Sequence, residues 1–139
     1  AVGLERINLR PANAIDLDWM LPAPTQGAIM IVCRKDDGEA FNACHSFNDE
    51  ATALCTKIEK DFLKELMGGC STPIAALAEI KNDKMILKGN ILSIDGKEKA
   101  KVEKIVSVNE LNDLGIVAAQ ALLNNGGKEI AESIRNAKR

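Results

Sequence analysis

The feature that most constrains this chain is a break in its middle. A helical pattern runs from Asn48 to Leu66, Gly68-Gly69 stops it, Cys70 follows at once, and Pro73 prevents any restart. A glycine at 68 or 69 takes the left-handed conformation that closes a helix C-terminus without a Cβ penalty. Pro73 biases Thr72 towards an extended backbone and suits the first residue of a strand. The chain therefore leaves a helix, turns sharply and enters a strand, with one thiol on the corner. The bland account of Cys70 is a small apolar residue at a turn. The negative end of a helix dipole also does not favour an activated thiolate. A thiol alkylated once and left in place needs no such activation, so the residue pattern leaves Cys70 open between the two.

The flanks of the break carry the clearest periodicities. Asn48 is a good N-cap, and Asp49 and Glu50 suit the positive end of the dipole. Ala51, Leu54, Cys55, Ile58, Phe62 and Leu66 fall on one stripe of a five-turn helix. Beyond Pro73 come three strand-like segments, Ile74 to Ile80, Met85 to Ile94 and Lys101 to Val108, joined by turns at Asn82-Asp83 and Asp95-Gly96. Val102, Val106 and Val108 alternate with Glu103, Ile105 and Ser107, as in an antiparallel sheet with one covered face. The lysine-rich stretch Lys97 to Lys104 suits a solvated edge. Ser107 to Glu110 has the spacing of a capping box opening a helix through Leu111, Leu114, Ala118, Ala121 and Leu122. Asn124-Asn125-Gly126-Gly127 stops that helix, and Lys128 to Ala137 forms a last one pinned by Ile130 and Ile134. The predicted class is α+β: a small three-stranded antiparallel sheet covered on one face by helices, in the order α-β-β-β-α-α.

Residues 1 to 46 lack such self-sufficiency. Pro11, Pro22 and Pro24 interrupt the first segment, and Trp19 and Met20 have little local structure to cover them. Ala28 to Cys33 is an uninterrupted apolar run, which predicts a strand covered on both faces. Asp36 or Asp37 caps a short helix through Phe41 and Cys44. The abrupt Ala1-Val2-Gly3 opening suggests a segment of something longer.

Composition narrows the function classes. Of 139 residues, 46% are hydrophobic and 27% charged, so the chain folds rather than staying disordered. A net charge of −2 with interspersed signs argues against a nucleic-acid or membrane-surface partner. Cys33, Cys44, Cys55 and Cys70 form no C-x-x-C pair, and His45 alone is a poor start for a metal site. No apolar run approaches a membrane span, and a reducing, cytoplasmic compartment fits best.

The central break is also recognisable. Phe62-Leu63, Leu66, Gly68-Gly69-Cys70 and Pro73-Ile74 together resemble the cofactor-attachment loop of the porphobilinogen deaminases, also called hydroxymethylbilane synthases. The resemblance extends upstream through Gly3-Leu4-Glu5-Arg6, Leu21-Pro22-Ala23, Gln26-Gly27-Ala28 and Cys33-Arg34-Lys35-Asp36-Asp37. Downstream it includes Asp95-Gly96 and Leu122-Leu123-Asn124-Asn125-Gly126-Gly127. It implies the C-terminal part of such an enzyme: residues 1–25 as the tail of a second domain, 26–46 as a strand and helix of a first α/β domain, and 47–139 as the cofactor-attachment domain. Two positions depart from the family pattern. Thr25 stands where a glycine is usual, and a threonine resists positive φ. Lys60 replaces an arginine and loses its planar fork.

The resemblance implies a chemistry. A cysteine in the position of Cys70 carries dipyrromethane through a thioether, and that cofactor primes the condensation of four porphobilinogen molecules into hydroxymethylbilane, each losing ammonia. A soft sulfur attacks the electrophilic carbon left by ammonia loss and forms a bond that is not easily hydrolysed. Gly68 and Gly69 let the backbone pass close to a bulky pyrrole, and Arg6 binds acidic side chains of the cofactor or growing chain. Within this segment no carboxylate matches the family's catalytic acid, so the implied partners are the N-terminal domains of the same enzyme. Two readings compete. A double-stranded-RNA-binding module shares the layout, but the helix after the sheet opens with Asn109-Glu110-Leu111-Asn112-Asp113, which repels phosphate. An assembly module without catalysis is the other.

Overall fold

The structure, a computed structural model, describes residues 6–9, 13–66 and 72–137. Helix α1 spans Gly38–His45 and α2 spans Glu50–Glu65. Strands β1 (Ile74–Lys81), β2 (Lys84–Leu92) and β3 (Lys99–Ser107) follow, then α3 (Leu114–Leu122), a wide turn at Leu123–Gly127, and α4 (Lys128–Ala137). The sheet is antiparallel in the order β1-β2-β3, so the predicted α+β class and the three strands are as found.

The turns follow from residue type. Asn82 and Asp83 both take positive φ, +50° and +58°, and Lys81 pairs with Lys84 around them. Two successive left-handed residues form the tight hairpin whose twist matches paired strands, and Asn and Asp tolerate that conformation best after glycine. After α3 the break comes at Asn125 and Gly126, the glycine at φ +86°.

Strand alternation sorts the sheet into two faces. Ile74, Ala76 and Ala78 of β1, Met85, Leu87 and Ile91 of β2, and Ala100 of β3 are buried on the face that meets the helices. Phe62 of α2, Leu114, Ala118, Ala119 and Leu122 of α3, and Ile130, Ala131 and Ile134 of α4 close over them. Two glycines permit this closeness. A Cβ at Gly89 would lie 2.4 Å from Cζ of Phe62, and one at Gly115 would lie 2.4 Å from the carbonyl oxygen of Ile58. Gly89 thus makes room for the buried ring, and Gly115 lets α3 cross α2 at backbone distance. The other face of the sheet carries Leu77, Glu79, Lys88, Lys101, Glu103 and Ile105, with ion pairs Lys81–Glu79 and Lys88–Glu103. Asn90 is buried on that face, and its Oδ1 has no hydrogen-bond partner among the described residues.

Three expectations are corrected. The N-cap of α2 is Asp49, not Asn48: the Asp49 carboxylate accepts from the Thr52 N–H at 2.7 Å, which holds its pKa below the usual carboxylate value. The Ser107–Glu110 spacing does not open a helix, because Ser107 pairs with Lys84 as the last residue of β3. The chain instead turns, with the Glu110 N–H donating to the Ser107 carbonyl, and α3 starts one turn later behind Asp113. The third concerns Ala28–Cys33, which is neither paired as a strand nor covered. Ile29 is 94% exposed and Val32 75%. A strand needs a ladder partner, and none of the described strands offers an edge to this segment. Helix α1 likewise buries no residue, although Asp37 caps it as expected by accepting from the Ala40 N–H at 3.0 Å.

Candidate functional site

The corner that the sequence singles out is anchored at both ends. On the helix side, Leu66 is buried and its N–H donates to the Phe62 carbonyl at 3.2 Å. On the strand side, the Pro73 carbonyl accepts from the Leu92 N–H at 3.0 Å and so extends the β1–β2 ladder. Residues 67–71, with Gly68, Gly69 and Cys70, lie outside the described residues. Arg6 is exposed on the N-terminal segment.

One buried carboxylate, unremarked in the sequence, ties the elements around this corner. Glu59 is 5% exposed, on the inner side of α2. Its Oε1 accepts from the Ala78 N–H of β1 at 2.7 Å, and its Oε2 accepts from the Thr25 N–H at 2.6 Å. Two charge-assisted bonds to backbone amides satisfy a charge that burial would otherwise penalise. The signal was present in the stripe itself, since Cys55, Glu59, Phe62 and Leu66 follow one another at helical spacing. Thr25 takes φ +63°, the left-handed conformation that its side chain resists. The substitution for glycine therefore leaves the turn's backbone in place. Lys60, beside Glu59, is exposed and lines a cleft of about 620 Å³ together with Ala28–Cys33, Phe41, Cys44 and Phe47.

The three described cysteines differ in setting. Cys33 is exposed, contrary to its expected place at the end of a buried run, and Cys44 is half-buried on α1. Cys55 is half-buried against β1. Burial, and then the charges of Glu59, Glu79 and Asp49, push its thiol pKa up, and the Ile80 backbone amide offsets only part of this. A thiol held neutral in this way is a poor nucleophile. Exposed His45 meets the Phe41 ring edge-on at 6.2 Å. Among the described residues no three His, Cys, Asp or Glu side chains are grouped to hold a metal ion. No described helix is long and apolar enough to cross a membrane.

Known proteins align with this layout. Residues 53–124 match the family model "Porphobilinogen deaminase, C-terminal domain", and residues 1–42 match "Porphobilinogen deaminase, dipyromethane cofactor binding domain". Relatives named porphobilinogen deaminase include one from Geotalea uraniireducens, 38% identical over 96% of this chain and 43% of its own length. One from Macrococcus caseolyticus is 42% identical over 96% of this chain and 44% of its own, and one from Brevibacillus brevis is 38% identical over 97% and 44%. The chain thus spans less than half the length of these relatives and corresponds to their C-terminal portion. With one family model over the helix–sheet unit, another over the preceding segment, and relatives alike across nearly all of its residues, the chain belongs to the porphobilinogen deaminase family.

Proposed function

We propose that this chain is the cofactor-anchoring portion of a porphobilinogen deaminase, with Cys70 as the residue that carries dipyrromethane through a thioether. The observation that supports this most is the co-linear likeness to porphobilinogen deaminases on both sides of the Gly68-Gly69-Cys70 corner. The corner joins a buried helix end to a strand in the ladder, which suits a thiol that must hold a bulky group at one place. Cys55 is set against that role by its neutral, half-covered thiol.

In this reading Cys70 donates the sulfur, Gly68 and Gly69 clear the backbone from the pyrroles, and Arg6 pairs with acidic side chains on them. The bound group supplies the primer to which porphobilinogen units are added. Residues 1–25, 26–46 and 47–139 fall to three domains of the whole enzyme, and Ala28–Cys33 finds its ladder partners in the N-terminal part. The chain by itself lacks the acid that assists ammonia loss and does not make hydroxymethylbilane.

Peptide mapping and intact mass of the full-length protein test this. The expected result is a dipyrromethane adduct on the Cys70 peptide. In Cys70→Ser the adduct and the activity are gone while the melting temperature stays near that of the parent, as for a turn substitution outside the core. An adduct on Cys33, Cys44 or Cys55 overturns the assignment.

A further inference from the structure

We propose that Thr25–Gly27 is a hinge latched by the Glu59 carboxylate, about which the segment from Ala28 to His45 swings relative to the sheet. Three independent observations converge on these residues.

Up to Thr25 the chain is docked. The Pro22 carbonyl accepts from the Ala76 N–H at 3.1 Å, and the Thr25 N–H donates to Glu59 at 2.6 Å. From Gly27 onward it is not: Ala28 to Cys33 are all exposed, and no described strand pairs with them. Between the two stand left-handed residues, Thr25 at φ +63° and Gly27 at φ +91°. Large changes of φ and ψ are absorbed at a few such positions. A β-branched residue stays left-handed only where its surroundings hold it there, and here the Glu59 bond is what holds it.

The latch also has a second side. In the β1–β2 register, Ala76 and Ala78 direct their N–H groups away from β2, along the free edge of the sheet. Pro22 and Glu59 occupy those two amides in turn. One carboxylate therefore does two things: it closes the sheet edge at Ala78, and it fixes the crossover segment at Thr25. Release of Thr25 frees Pro22 with it and uncovers Ala76. The swinging segment carries the apolar Ala28–Cys33 run, so the latch sets where that run is presented.

Backbone order parameters and amide exchange on the whole chain test this. In the parent, order steps down at Gly27, and the Thr25, Ala76 and Ala78 amides are protected. Glu59→Gln leaves one acceptor for two amides and is expected to speed exchange at Thr25 or Ala78 at least tenfold, with Leu87 and Ile91 unchanged. Thr25→Pro removes the donor and the positive φ without touching the core, so it folds even if the Glu59 variant does not. In it the step in order moves back to Leu21, and Ala76 exchanges at least tenfold faster while Ala78 keeps its protection. A step that stays at Gly27 in Thr25→Pro, or faster exchange spread evenly to Leu87 and Ile91 in Glu59→Gln, would overturn the latch.

Discussion

Glu59 shows how far a single side chain departs from its ordinary behaviour when the backbone around it supplies donors. Carboxylates are seldom buried unless paired, and this one is paired with amides rather than with a cation. The same accounting applies to Asn90, whose buried Oδ1 finds no donor among the described residues. An apolar replacement removes an unsatisfied group from a strand interior. Asn90→Val should therefore stabilise the chain by about 1 kcal/mol, read as a higher denaturation midpoint with an unchanged slope. Gly115 lies at the opposite extreme, because its missing Cβ is what admits the Ile58 carbonyl. Gly115→Ala must push α3 off α2 and should cost at least about 2 kcal/mol, at the level of overpacked cores. Near-parental stability would show that the two helices can shift freely. Cys55 gives a pH dependence. Its folded pKa is raised by burial, so the folded chain keeps the thiol proton to higher pH than the unfolded chain does. That contribution is whole below the ordinary thiol range, about pH 8.5, and is lost as pH rises through the folded value. Denaturation midpoints should fall on the alkaline side, and Cys55→Ala should flatten that fall.

At the scale of elements, the sequence patterns that succeed are those with a local cause. The α2 stripe, the Asn82-Asp83 hairpin and the Gly126 break each rest on neighbours within a few residues, and each is found where the pattern puts it. The capping box fails because Ser107 has a competing use: pairing with Lys84 satisfies its backbone before any helix can claim it. Ala28–Cys33 fails for the converse reason. Its composition suits a buried strand, but a strand exists only with a partner, and the one free edge nearby is already filled by Pro22 and Glu59. Hydrogen exchange should show the difference plainly, with Ala28–Cys33 amides exchanging far faster than Ile86–Leu92. Comparable protection in a monomer would mean that the segment packs on the sheet unit after all. Within the core, Phe62→Ala should cost about 3–5 kcal/mol, since the ring is fully buried under Gly89 and leaves a cavity there.

At the scale of the molecule, the helix–sheet unit closes its own core, whereas residues 13–45 contribute almost nothing to it: no residue of α1 is buried, and Trp19, Met20 and Phe41 are all more than half exposed. Purified chain given porphobilinogen is accordingly expected to form no detectable hydroxymethylbilane, and measurable turnover would require a proton donor among its own carboxylates. The sequence by itself determined the order of elements, the class of the fold and the corner bearing Cys70, because periodicity, glycine and proline act through the local backbone. The family resemblance also rested on short runs of residues and needed no coordinates. Only the tertiary structure decided that Glu59 would be buried between two amides, that Thr25 would be held left-handed, and that Ala28–Cys33 would stand unpaired. Those outcomes depend on which donors and edges arrive from distant parts of the chain, and no spacing within a single segment encodes them.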